Sequence, residues 1–270
     1  MKRLVAFTVL FLFMSAAAFG ATAKPVVVAT HAVLGEFVQA VGGDFVDVVT
    51  IIPSGFCPSH YDLRPSDIAA VSQASLILYS GFEAWMNTLV SSVGHPVMTI
   101  QLAGDWSTPE AAIDKVNAIE AALAELLPND AEIFKANSSA YEQKLRSLAA
   151  DLKDKAAALS VDDVRVLCMQ WQVSFVSWLG FDVVATYGIP ESLSLKDLVA
   201  LAKTGKEQGV QLVIDNLQSG IDFGAKLARE VDAVHVVLSN FPGALPNTAT
   251  VLDLFKRNAD SLFSAIAPVE

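Results

Sequence analysis

The chain has 270 residues, a formal net charge of −11 and a 53% hydrophobic composition. An acidic chain of this kind argues against nucleic acid and anionic membrane as partners and suits a cationic ligand. The length is enough for two lobes of ordinary domain size.

The first residues read as a secretory signal. Lys2 and Arg3 precede the apolar run Leu4–Phe13, and Ala21-Thr22-Ala23 fits a cleavage site. The run is too short to span a bilayer, which takes roughly 20 apolar residues. Residues 1–23 are therefore expected to be removed after export to a periplasm, and no Cys follows the run to carry a lipid anchor. Loss of Lys2 and Arg3 takes the charge from −11 to −13.

Lys24–Thr30 is a continuous β-branched run, the pattern of a buried strand. Ala32–Val41 follows as a helix closed by Gly42-Gly43. Phe45–Ile52 is a second strand, running into Pro53. Pro65-Ser66-Asp67 opens a helix, Ser75–Tyr79 is a third strand ended by Ser80-Gly81, and Val97–Ile100 is a fourth. Short strands alternating with helices predict a parallel sheet covered on both faces. Thr108-Pro109-Glu110 starts a helix that Pro128 stops. The stretch from Asn129 to Leu159 lacks Gly and Pro and predicts a second helix. At about 1.5 Å per residue it would reach roughly 45 Å, enough to connect two lobes. Alternation resumes with strands at Arg165–Met169, Asp182–Tyr187, Gln211–Asp215 and Ala233–Ser239, and helices at Trp171–Leu179, Gly220–Val231 and Leu252–Ile266. The predicted fold class is α/β: two lobes, each a parallel sheet flanked by helices, joined by a long rigid helix. The predicted boundaries are 24–128 for the N-terminal lobe, 129–160 for the connecting helix and 161–270 for the C-terminal lobe.

The segment Pro53–Asp67 sets Cys57, His60, Tyr61 and Arg64 in a loop between a strand and a helix. Strand-end loops are where open α/β sheets bind ligands. Cys57, His60, Cys168, Met169 and His31 all lie at predicted strand ends or adjoining loops, and thiolate, imidazole and thioether form a soft or borderline metal set. Each has a plainer reading. Cys57 and Cys168 suit a disulfide in an oxidising compartment, Met169 suits a core, and His31 suits a helix cap. His95 reads as surface loop and His235 as structural. A different ligand class is indicated by Trp106, Trp171 and Phe241 with Gln170, Asn216, Gln218 and Asn240: aromatic walls and neutral amides fit a small organic molecule or a metal complex. Asp215–Gly220 opens a helix and offers backbone N–H groups to an anion. Cys57 and His60 at i, i+3 resemble a nucleophile–base pair, but no triad order, phosphate loop or paired carboxylates accompany them, so the chain is read as not an enzyme.

Taken together, VVVATHAVLGEFVQAVGGD, YDLRPSDIAAVSQASLILYSG, TPEAAIDKVNAIEAAL and LDLFKRNADSL resemble the zinc and manganese solute-binding proteins of ABC importers over the whole mature chain. The resemblance implies a periplasmic, monomeric receptor that captures a transition metal (zinc, copper or manganese class) between two lobes and delivers it to an inner-membrane permease. It implies a metal-binding His two residues before the loop tyrosine, where this chain has Ser59 with His60 one place later. It implies a second two residues before Trp106, where this chain has Gly104. The third and fourth positions fall at Met169 or Gln170 and at Asn240. Combined with the soft donors at the strand ends, the expected metal set is His60, Cys57, His31, Cys168, Met169 and Asn240.

Overall fold

The computed structural model describes residues 23–267, so all of the expected leader but its last residue lies outside the described residues. The N-terminal sheet has strands β1 (Val26–His31), β2 (Asp47–Ile52), β3 (Ala74–Tyr79) and β4 (Met98–Gln101), all parallel, in the order β2-β1-β3-β4. Helices α1 (Ala32–Gly42), α2 (Pro65–Val71) and α3 (Met86–Ser91) lie between these strands in sequence, and α4 (Pro109–Leu126) follows them. The C-terminal sheet repeats the plan with β5 (Arg165–Met169), β6 (Asp182–Tyr187), β7 (Leu212–Asn216) and β8 (Val234–Leu238), parallel in the order β6-β5-β7-β8. Its helices are α6 (Val173–Leu179), α7 (Leu195–Gln208), α8 (Asp222–Glu230) and α9 (Val251–Ile266). Between the two sheets in sequence runs α5 (Ala131–Ala158), 28 residues long.

Helix α5 buries Phe134, Ser138, Tyr141, Leu145, Leu152 and Ala156. These positions recur at steps of three, four or seven residues, the spacing of one helix face. That face packs against α1, α4, α6 and α9, and one apolar cluster continues through it from Val27 and Phe37 in the first lobe to Val166, Phe175 and Phe255 in the second. The outer faces of the two sheets carry separate clusters, one around Val28, Ile77 and Leu89 and the other around Leu167, Val213 and Leu227. Successive strand residues point to opposite faces: Val27 and Ala29 enter the shared core while Val28 enters the outer one.

The expected helix at Trp171–Leu179 begins as a tight turn at Gln170–Gln172 and becomes α-helical only at Val173. Helix α7 was not expected, although its start and stop are written locally. Ser194 and Asp197 form a reciprocal capping box and Gly209 closes the end in the left-handed conformation.

Glu36 on α1 accepts hydrogen bonds from Tyr141 of α5 at 2.8 and 3.0 Å. Burial raises its carboxyl to about 7 from an ordinary 4.5, against the lowering effect of the Tyr141 bond. Between pH 4.5 and about 7 the folded chain therefore holds a proton that the unfolded chain releases. Stability from this group is fully present below pH 4.5 and is lost as pH rises through about 7. Glu36→Gln should remove this fall with rising pH, changing the pH dependence of urea stability by no more than about 3 kcal/mol.

Candidate functional site at the facing strand ends

Strand β1 is buried from Val27 to its last residue, His31, which is 1% exposed. His31 occupies the N-cap position of α1 but its side chain makes no capping bond, so the helix-cap reading is not the one the geometry bears. Its ring packs on three aromatic side chains from three segments. Centroid separations are 5.7 Å to Phe82, 4.9 Å to Trp106 and 5.4 Å to Phe241. Phe241 belongs to the C-terminal lobe and stacks on Trp106 at 6.2 Å, so the aromatic group closes the seam between lobes. His31 Nε2 lies 2.7 Å from Ser80 Oγ, whereas its Nδ1 is buried without a partner. Burial, with the Lys115 charge as a smaller cause, lowers its pKa to about 3. The imidazole is therefore neutral, the form that binds metals.

Ser80 is held by Glu83, a carboxylate only 4% exposed. Glu83 accepts the backbone N–H groups of Ser80 (3.1 Å) and Gly81 (2.7 Å), and the hydroxyl of Thr30 next to His31. The Ser80-Gly81 turn and the end of β1 are thereby fixed to one buried group. Asp105 Oδ1 accepts the N–H groups of Trp106 (2.8 Å) and Ser107 (2.9 Å), which sets the turn carrying Trp106 before Thr108 caps α4. Gly104 has φ of +95°, and next to it Lys115 Nζ donates to the Ala103 carbonyl.

The expected metal set does not assemble. Among the described residues no group of three or more His, Cys, Asp or Glu is placed to hold a metal ion. Cys168 and Met169 are adjacent on β5 and face opposite sides of the sheet. Cys168 enters the shared core, Met169 the outer cluster, and both are 0% exposed. The Cys168 thiol donates to the Met169 carbonyl at 3.4 Å, and burial followed by the Asp215 charge pushes its pKa up. Met169 Sδ accepts the Trp171 N–H at 3.2 Å. Both cysteines are free, which corrects the disulfide reading. Cys57 is half-buried and His60 exposed, both on the loop leaving β2. That loop starts beside His31, because β1 and β2 pair His31 with Ile52.

The amides form a closed network. Gln172 Nε2 donates to Asn240 Oδ1 (2.7 Å), Asn240 N donates to Gln218 Oε1 (3.1 Å), and Gln218 Nε2 donates to Ser239 Oγ (2.9 Å). Gln218 Nε2 also reaches the Ser54 carbonyl of the other lobe at 3.0 Å. Of the alternative ligand set, Trp106 and Phe241 meet at His31. Gln218 ties the lobes, Gln170 and Trp171 are exposed, and Asn216 accepts the N–H and Oγ of Ser219 at 3.0 Å. That bond and the acidic first turn of α8 at Asp222 oppose an anion at this loop. His235 pairs with buried Asp215 at 2.7 Å, which also accepts from Tyr187, the structural role expected of it.

Sequence reading missed Phe82, Glu83 and Lys115. Ser80 was visible only as the end of a strand.

The neutral state of His31 has a direct readout. Its ring-proton NMR shifts should stay constant from pH 8 to pH 5, a range in which an ordinary histidine titrates. Its stability contribution runs opposite to that of Glu36. It is fully present above pH 6.5 and falls as pH drops toward about 3, because the unfolded chain then binds a proton that the folded chain refuses.

The chain resembles solved structures of low identity that share its fold. A manganese-bound periplasmic metal binding protein from Candidatus Liberibacter asiaticus superposes with a TM-score of 0.78 at 18% identity, over 90% of this chain and 100% of the other. The periplasmic zinc binding protein TroA from Treponema pallidum gives 0.78 at 20% identity, over 91% of this chain and 100% of the other. Among sequence relatives, the manganese-binding lipoprotein MntA of Halalkalibacterium halodurans is 25% identical over 89% of this chain and 88% of its own length. The manganese ABC transporter substrate-binding lipoprotein PsaA of Streptococcus mitis is 26% identical over 62% of this chain, a match that spans 60% of that relative. The family described as ZnuA, zinc-uptake complex component A, periplasmic, matches residues 27–265. With nearly all of its described residues inside that match, the chain belongs to the ZnuA family.

Proposed function

We propose that this chain is the exported solute receptor of an ABC importer and that its cargo contains a transition metal bound at the carboxyl end of β1 through His31. It is a carrier and not an enzyme. One observation carries the reading: a neutral imidazole, buried in an aromatic box, with one nitrogen engaged by Ser80 and the other unpartnered. A buried polar atom without a partner in a native fold calls for an explanation such as a missing ligand. When Ser80 Oγ accepts from Nε2–H, Nδ1 presents a lone pair.

Family membership and the names of the manganese-binding relatives support a zinc- or manganese-class cargo and a membrane permease as the recipient. Cys57 and His60 are the further donors nearest in topology, on the loop that leaves the sheet beside His31. Cys168 and Met169 take no part, since both are buried on opposite faces of their sheet. The scarcity of protein donors means that the cargo keeps part of its own coordination shell. A second reading, an organic cargo held without metal, draws on the same aromatic rings Trp106, Phe82 and Phe241.

Metal content by mass spectrometry, on protein purified anaerobically and titrated for free thiols, tests the assignment. Near-stoichiometric metal is expected. His31→Ala should weaken binding by more than the roughly 10–100-fold that loss of a supporting partner costs, and Ser80→Ala should fall within that range. Cys57→Ser with His60→Ala should have the smaller effect. Absence of metal after reloading the reduced protein, with ligand-induced Trp fluorescence changes intact in His31→Ala, would transfer the site to the organic reading.

A further inference from the structure

Glu36 stands where elements of both lobes converge. It projects from α1 of the N-terminal lobe and accepts the Tyr141 hydroxyl of α5 at 2.8 and 3.0 Å. The backbone N–H of Val251, first residue of α9, bears on the same carboxyl from the C-terminal lobe. Beside it lies a cavity of about 330 Å³ between the lobes. Ala32, Glu36 and Thr50 line one side, and Pro242, Gly243 and Ala249 line the other. This cavity adjoins the His31 site along the chain. Ala32 follows His31, Pro242 follows Phe241, and Ile52 on the cavity wall pairs with His31 in the sheet. The lobes approach closely there, since a Cβ on Gly243 would lie 3.2 Å from Ser54 Oγ.

A carboxyl in such a place has two states with opposite demands. Neutral, it fits a partly dry seam. Ionised, it gains from water, which the seam admits only by loosening. Burial is the largest cause that raises its pKa, and the Asp253 charge of α9 acts the same way, while Tyr141 and the Val251 N–H act against them. From the elements packed on α1, Tyr141 and Asp253 are the titratable groups that bear on it. Thr50, Pro242, Gly243 and Ala249, which share the cavity with it, carry no charge. Burial pushes the Tyr141 hydroxyl far above its ordinary range, so it remains a donor throughout. We propose that Glu36 is a pH-sensitive clasp on the lobe seam: protonated, it lets the lobes close over the cavity, and ionised, it draws water into the cavity and loosens the seam beside His31. Loosening hydrates the carboxyl and returns its pKa from about 7 toward 4.5. The loosened population therefore grows as pH rises through that window, by up to about tenfold per pH unit, and levels off above about 7. This property belongs to the lobes themselves and requires no cargo.

Amide hydrogen exchange on the mature chain with no metal added tests the clasp from about pH 5 to about pH 8.5. Each rate is divided by the intrinsic rate at its pH, so that only protection is compared. Amides of residues 243–251 report the seam, among them the Gly243 N–H that bonds to the Thr248 carbonyl. Amides of β1 and β7 report global unfolding. Seam protection should lie below that of β1 and β7, fall by about ten- to 100-fold between pH 5 and pH 7, and level off above. Glu36→Gln should abolish the fall and keep the seam at its acid-side protection. Tyr141→Phe removes a donor that favours the ionised form, so the fall should continue to a higher pH than in the parent chain. A merely structural role for Tyr141 would lower protection without moving that limit. Seam protection equal to that of β1 and β7 at every pH, or a pH profile unchanged in Glu36→Gln, overturns the clasp. Because the measurement uses no metal, either result is independent of the metal reading.

Discussion

The apolar seam along α5 is the constraint on which the rest of the structure depends. A single helix face, Phe134 through Ala156, packs into both lobes and makes their inner cores one cluster. Opening the lobes widely would expose part of that cluster to water, at roughly 25 cal/mol for each Å² of apolar surface. The lobes are therefore held with the carboxyl ends of their strands facing one another, and only small rearrangements between them are cheap. One hydrogen bond and two ring contacts reinforce the seam where it reaches the cleft: Gln218 to the Ser54 carbonyl, and Trp106 and His31 against Phe241. Shifts of loops and side chains are cheaper in such a structure than a swing of whole domains.

At the cleft, geometry and electrostatics act together. Glu83 gathers Thr30, Ser80 and Gly81 around one buried carboxylate, and Ser80 in turn engages His31. The aromatic box excludes water from the imidazole and keeps it uncharged. Such a group is a ready electron-pair donor, but alone it is a thin coordination sphere. Lys115 is buried close by in the chain, donating to the Ala103 carbonyl at the start of the turn that carries Trp106.

The two buried groups whose pKa values move furthest within the ordinary range oppose each other. Glu36, beside Tyr141, favours the folded state at low pH, while His31 favours it at higher pH. Their windows overlap between pH 4.5 and 6.5, so the whole chain should show a flatter profile there than either single variant.

Most of the fold was legible in the chain because it rests on local rules. Continuous β-branched runs marked β1 and β5, proline and threonine marked the start of α4, and the glycine-free stretch after Pro128 marked α5. Helix α7 was equally written, in Ser194, Asp197 and Gly209, and was overlooked because exposed apolar residues such as Leu195 and Val199 blur the face that Leu198, Leu201 and Ala202 pack on the outer cluster. The candidate site was legible only in part. His31, Trp106 and Phe241 stood out by residue type at strand ends. By itself the sequence determined the two-lobe α/β plan, the family, and the substitution of Gly104 and Asn240 where metal ligands were expected, since these follow from order and spacing along one chain. Only the tertiary structure decided that Cys168 and Met169 point to opposite faces of β5, that both cysteines are free, and that Glu83 ties Thr30 to the Ser80-Gly81 turn beside His31. Those outcomes turn on side-chain direction and on contacts between segments far apart in sequence: Thr30 meets Glu83 and His31 meets Phe241.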